Sequence, residues 1–379
     1  MKISLIGTAY PYRGGLASFN ERLVRELNTQ NHQANIYTFT LQYPSFLFPG
    51  KSQFSSGSPP EDLEIIRRVN SVNPINWLST GAKIKAERPD ILMYKFWLPF
   101  MGPCFGSIAR LVKRNQHSKI ITIIDNIIPH EKRPGDFLLA KYYANSCDAF
   151  ITMSKSVTED LKKFTTSKPV SYIPHPIYDN FGDIISKEEA RAGLGLSLED
   201  KVIMFFGIIR SYKGLDLLLK AMAADKIKER GIKLLVAGEF YEDKTPYYDI
   251  IKENGLEGSV LMHDHFIANE DVKQYFCAAD VVVQPYKSAT QSGITQMAYH
   301  FEKPMIVTNV GGLPEIVPDG RAGWTVNPDE TEIADAIVKF YDEEKEQFFA
   351  EEVRKLKHQF SWENMVRGIE DLYEQLSKK

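Results

Sequence analysis

Residues 284–320, QPYKSATQSGITQMAYHFEKPMIVTNVGGLPEIVPDG, decide the fold. The apolar run from Asp280 to Gln284 predicts a strand, and a polar loop follows it. Ser292-Gly293-Ile294-Thr295 then opens a helix, and Met305-Ile306-Val307-Thr308 forms a second apolar run that feeds Gly311-Gly312. Strand, glycine turn, helix and strand together make a βαβ unit. The helix start offers unpaired N–H groups and the positive end of a dipole, which suits a diphosphate. Ser-Gly turns open many helices that bind nothing, so this feature alone assigns no ligand.

Upstream, Val202 to Gly207 is a fully apolar strand ending in glycine, followed by Arg210, Lys213-Gly214 and the apolar run Leu215 to Leu219. A guanidinium and an ammonium three residues apart after a strand can converge on one anion, the first by bidentate hydrogen bonds and the second as a mobile point charge. Leu234 to Glu239 is the next strand and turn. It is followed by a segment in which His263 and His265 alternate with Asp264. No third ligand at metal spacing accompanies them, so no metal is expected. Phe266 and Ile267 are better read as walls for a nucleobase.

The chain opens on a strand reaching Gly7, then Gly14-Gly15, then apolar residues at 16, 19, 23, 24 and 27 in helical spacing. Glycines at a βα turn let a ligand approach the backbone. The pattern is not G-x-G-x-x-G and no matching acidic residue follows, which disfavours a dehydrogenase-type dinucleotide fold.

Three of these segments resemble GT-B glycosyltransferases, most closely the retaining family four, also called glycosyl transferases group 1. They are Lys303-Pro304 through Gly311-Gly312-Leu313-Pro314-Glu315, the Gly14-Gly15 loop, and the strand leading into Gly207, Arg210 and Lys213-Gly214. The resemblance covers nearly the whole chain and is strongest over 202–327. It implies an α/β protein with two Rossmann-like domains facing across a cleft and a C-terminal helix crossing back to the first. The acceptor would bind residues 1–178, with 361–379 packed onto them, and the nucleotide-sugar donor would bind 179–360. It further implies transfer of a sugar from a nucleotide diphosphate sugar to a glycan or lipid-linked acceptor with retention, without metal or other cofactor. Gly14, Gly15, Gly207, Ser292, Gly293, Ile294 and Thr295 would then surround the donor.

Two departures stand out. Family members commonly carry a histidine where this chain has Asp125, ahead of Asn126-Ile127-Ile128-Pro129-His130-Glu131. Either Asp125 or His130 is therefore the candidate to touch the sugar or acceptor, and each can accept a proton once placed. The family's pair of glutamates, eight positions apart, is missing around the 292 helix. Gln296 stands in that region and can hydrogen-bond a hydroxyl without acting as a carboxylate. The missing glutamates leave open a catalytically silent sugar-nucleotide binder. Asp125 or His130 leaves open an inverting transferase of the same fold.

The 379 residues suggest about two domains, and the 43% apolar, 25% charged composition is that of a soluble globular protein. No run approaches the roughly 20 apolar residues that span a bilayer, and the start reads as a strand rather than a signal peptide. Cys104, Cys147 and Cys277 share no close spacing, so neither disulfides nor zinc are indicated and a cytoplasmic setting is expected. Residues 1–178 carry 22 Lys and Arg against 13 Asp and Glu, while the rest carries 24 against 36. The basic first half is compatible with an anionic partner, such as the inner face of a membrane, or with a peripheral membrane scaffold. Nothing points to nucleic acid. The aromatic stretch Trp97 to Phe105 could shape an acceptor pocket or simply fill core, and the Pro-, Ser- and Gly-rich segment 44–62 reads as a loop. The interdomain connection is expected at about 175–200.

Overall fold

Short, near-continuous apolar runs suit strands covered on both faces, which is the signature of parallel sheets. In the computed structural model, which describes residues 1–44, 53–55, 57–129, 133–289 and 292–378, every strand pairing is parallel. The chain divides into two units, Met1–His175 with Trp362–Lys379, and Pro176–Ser361.

The first unit holds β1 (Lys2–Ile6), β2 (Gln33–Leu41), β3 (Ile65–Asn70), β4 (Ile91–Phe96), β5 (Lys119–Ile124), β6 (Ala149–Thr152) and β7 (Val170–Tyr172). They lie in the order β3-β2-β1-β4-β5-β6-β7, so strand order reverses direction between β1 and β4. All six residues of β4 are buried. Leu92, Tyr94 and Phe96 share one face by the two-residue strand period and join a core with Phe105, Ile108 and Tyr143. The aromatic stretch after β4 is largely core: Met101, Cys104 and Phe105 are fully buried, and Trp97 packs edge-on against Phe39 and Phe105. On the opposite face lies helix Gly15–Thr29, whose buried side includes Phe19, Leu23 and Leu27. The final helix, Trp362–Ser377, packs against it through Trp362, which meets the ring of Phe19 at 5.1 Å.

The second unit holds β8 (Lys201–Phe206), β9 (Ile232–Ala237), β10 (Val260–His263), β11 (Val281–Gln284), β12 (Met305–Thr308) and β13 (Gly323–Val326). Their order, β10-β9-β8-β11-β12-β13, again reverses at its centre, between β8 and β11. Ile203, Phe205, Leu234, Val236, Val281 and Val283 form the core on one face with helices Leu215–Met222 and Glu330–Asp342.

The segment 175–200, where the interdomain connection is expected, contains helix Lys187–Leu194. Its exposed charges make it read as linker, but Arg191 is 1% exposed and donates to Asp280 at 2.8 Å. Lys187 reaches the same carboxylate at 2.6 Å, and Asp280 also accepts from the Val202 N–H and the Tyr341 hydroxyl. The helix is thus pinned to the second unit. Of the 44–62 loop, 45–52 and 56 lie outside the described residues; Phe54 bridges to Tyr12.

Candidate active site

In open parallel sheets ligands collect beyond the strands' C-terminal ends where strand order reverses. In the second unit that position lies between β8 and β11, where the segments after the two strands interlock. Gly214 turns with φ +70°, and a β-carbon there would lie 1.9 Å from the Pro285 carbonyl oxygen. The Lys287 N–H donates to the Tyr212 carbonyl at 2.7 Å, and the Lys287 ammonium pairs with Asp216.

Arg210, Lys213, Gly207 and the start of helix Gly293–His300 come together here. Gly207 has φ +103°; a β-carbon on it would stand 3.1 Å from Ile294 Cδ1 and 3.3 Å from Lys213 Nζ. The Lys213 ammonium is thereby placed over bare backbone. Burial, and to a smaller degree the Arg210 charge, hold its pKa below the usual lysine value. Neither cation forms an ion pair with a carboxylate among the described residues. Their ring contacts are Arg210 with Tyr241 at 5.5 Å and Lys213 with Tyr286 at 5.6 Å. Two neighbouring half-buried cations without a counter-charge attract an anion.

The helix start is more committed than the sequence implies. Ser292 caps it, its Oγ accepting from the Ile294 N–H at 3.2 Å, so that donor is already engaged. Gly293 must be glycine because a β-carbon would meet the Tyr178 ring at 2.9 Å. Thr295 and Gln296 point inward. Gln296 is 0% exposed, and both of its amide atoms lack hydrogen-bond partners among the described residues, as do those of Gln284 at the end of β11. Phe266 is 56% exposed at the sheet edge beyond β10, and Ile267 beside it is buried. His263 is tied to the Tyr275 hydroxyl at 2.9 Å, and Asp264 to Lys244 at 2.7 Å. No group of metal-ligating side chains occurs among the described residues.

In the first unit the corresponding reversal lies between β1 and β4. Gly14, with φ +104° and open space around its missing β-carbon, leads into the helix that Gly15 begins. Asp125 follows β5 directly and forms an ion pair of 2.8 Å with Lys95. His130 lies outside the described residues. Lys95 escaped the sequence reading because it sits in a strand otherwise read as apolar. A lysine at an inward position of such a run was the available signal.

Residues 200–343 match the family model "Glycosyl transferases group 1". Along its whole length the chain is 25% identical to an uncharacterized glycosyltransferase of Methanocaldococcus jannaschii, covering 100% of this chain and 99% of the relative. A D-inositol 3-phosphate glycosyltransferase of Corynebacterium glutamicum is 29% identical over 199 residues, 51% of this chain and 47% of the relative. Among solved structures, sucrose-phosphate synthase of Thermosynechococcus elongatus matches with a TM-score of 0.76 at 17% identity, covering 99% of both chains. Anabaena HepE in complex with UDP matches with a TM-score of 0.75 at 16% identity, covering 100% of both.

Proposed function

The chain is a glycosyltransferase of the GT-B fold whose second unit carries the group 1 domain, and from that premise we propose how it handles its two substrates. The donor is a nucleotide diphosphate sugar whose diphosphate lies against Arg210 and Lys213. The observation that carries this is the pair of cations without a carboxylate partner beside Gly207. Similar structures in complex with UDP and with UDP-glucose support the ligand class.

The leaving diphosphate accumulates negative charge as the glycosidic bond breaks. Preplaced cations and the remaining N–H groups at 293–295 stabilise that charge without having to reorganise. Ser292 keeps the helix start rigid rather than serving as a donor itself. Phe266 offers a flat apolar face to the base. Transfer proceeds with retention, the hydroxyl attacking from the face the diphosphate leaves. Asp125 belongs with the acceptor.

The acceptor is a glycan or lipid-linked sugar in polysaccharide or glycoconjugate synthesis, reached at a membrane surface. No helix among the described residues is long and apolar enough to cross a membrane. Ile75, Leu78, Phe137 and Leu138 nevertheless project from the basic first unit as exposed apolar side chains. A label-transfer assay with UDP-, GDP- and ADP-sugars against membrane extract, followed by anomeric analysis of the product by NMR, tests the reading. A retained anomer from one nucleotide class is expected. An inverted product, or nucleotide binding with no transfer, would replace it with one of the alternatives.

A further inference from the structure

The chain passes between the two units twice, after His175 and after Ser361. Within the second unit, both passages are seated on helix Gly293–His300. The Ile177 N–H donates to the Phe360 carbonyl at 2.9 Å, which joins one passage to the other. The centre of the Phe360 ring lies 4.5 Å from that of Tyr299, and the Lys357 ammonium donates to the His300 carbonyl at 3.0 Å. His300 Nε2 in turn donates to the Gly182 carbonyl at 2.8 Å. Residues 176–182 therefore run beside the helix, with Tyr178 at its start and Gly182 at its end.

Tyr178 decides what can stand at the first helical position. Gly293 does not have a left-handed backbone, and glycine is a poor helix former, so conformation gives no reason for it. Space does: a β-carbon on Gly293 would lie 2.9 Å from Tyr178 Cε2 and 3.7 Å from Cδ2. The buried ring is packed onto the helix backbone itself. Side-chain bonds leave a helix sideways, whereas its first N–H bonds point along the axis. The ring thus flanks those donors without covering them and keeps water from that side. Next in the chain, Ser292 Oγ accepts from the Ile294 N–H at 3.2 Å and lies 3.3 Å from the Tyr286 hydroxyl.

We propose that Tyr178 is a positioning residue that fixes the start of this helix for the donor and ties donor occupancy to the chain passage at 176–182. This rests on the reading that the diphosphate lies at the helix start. A bound diphosphate steadies the backbone at 293–295, and the ring carries that constraint to residues 176–182. Such coupling is reciprocal, so loosening the passage at Tyr178 weakens nucleotide binding in turn.

UDP, GDP and ADP are titrated against the full chain by calorimetry, and the tightest ligand is carried into hydrogen-exchange mass spectrometry. It should slow amide exchange over 177–182 in the wild type. Tyr178→Phe keeps the ring and should retain both this protection and the wild-type affinity. Tyr178→Ala should lose the protection and bind about tenfold more weakly, the scale of one misplaced charge-assisted hydrogen bond. Gly293→Ala should also weaken binding, by pushing the helix start away from the ring. Adding Tyr178→Ala to it removes that collision and should restore part of the loss, a non-additivity that a general loss of stability does not produce.

Unchanged exchange over 177–182 on nucleotide binding would overturn the proposal. So would wild-type affinity in a folded Tyr178→Ala protein, or a double variant that binds no better than Gly293→Ala alone. Binding of no nucleotide by the wild type removes the donor reading itself and this proposal with it, so the two failures are distinct.

Discussion

Lys213 Nζ lies 3.3 Å from the point where a β-carbon of Gly207 would stand. The glycine ending β8 and the cation in the following turn thus occupy adjoining space, and the bare backbone between them is where a diphosphate can reach both. Substitution at 207 is resisted twice, by the left-handed φ of +103° and by the contact with Lys213 and Ile294.

Gly207→Ala should therefore cost about 1–3 kcal/mol of stability, the scale of a strained backbone residue. It should also weaken nucleotide binding by displacing the ammonium. Thermal denaturation with and without UDP checks both effects. Unchanged binding in the variant would separate Lys213 from the ligand.

Asp280 gathers Arg191, Lys187, Tyr341 and the Val202 N–H in the second unit. Asp280→Ala leaves the buried Arg191 guanidinium without its counter-charge and should destabilise by about 3–5 kcal/mol. Urea denaturation followed by far-UV circular dichroism reads this. Removing the exposed Lys163–Asp160 pair should shift the midpoint far less.

The Lys95–Asp125 pair gives a thermodynamic cycle with a defined sign. Burial raises the Asp125 pKa and lowers that of Lys95, in each case outweighing the attraction of the partner. The raised carboxyl pKa makes the folded state relatively less stable as pH climbs through and above the ordinary carboxylate range. The lowered lysine pKa makes it relatively more stable as pH climbs through the alkaline range. Lys95→Met or Asp125→Asn alone should destabilise by about 3–5 kcal/mol, and the double variant should recover most of that loss. Chemical denaturation of the three variants at neutral pH measures it. Additive losses would contradict the picture of a mutually dependent pair.

These examples also show where the sequence was legible. β4, β5, β8, β9, β11 and β12 are short apolar runs, and covering both faces of a parallel sheet requires such runs. The edge strand β3, IIRRVN, was not read because Arg67 and Arg68 interrupt the pattern, and an edge strand tolerates them. Helix Lys187–Leu194 reads as polar chain because only Ala190 and Arg191 are buried among its residues. Ser154, a residue type that favours helix starts, caps helix Lys155–Lys162, its hydroxyl accepting from the Val157 N–H. The Ser292 cap shows the limit: the same residue preference that marks a helix start also consumes one of the donors expected for a ligand. Lys95 was hidden because its partner is 30 positions away in sequence, and only strand order brings β4 beside β5.

The most direct test is a thermal-shift and calorimetric titration of UDP, GDP and ADP against wild type and the Arg210→Ala/Lys213→Ala variant. A nucleotide at about 100 times its dissociation constant should stabilise the folded state by about 2.7 kcal/mol. Each lost charge-assisted contact should weaken binding by about 2 kcal/mol, roughly 30-fold. The account predicts a clear shift from one nucleotide class that vanishes in the double variant. Equal binding by the two proteins, or no shift from any nucleotide, would contradict it.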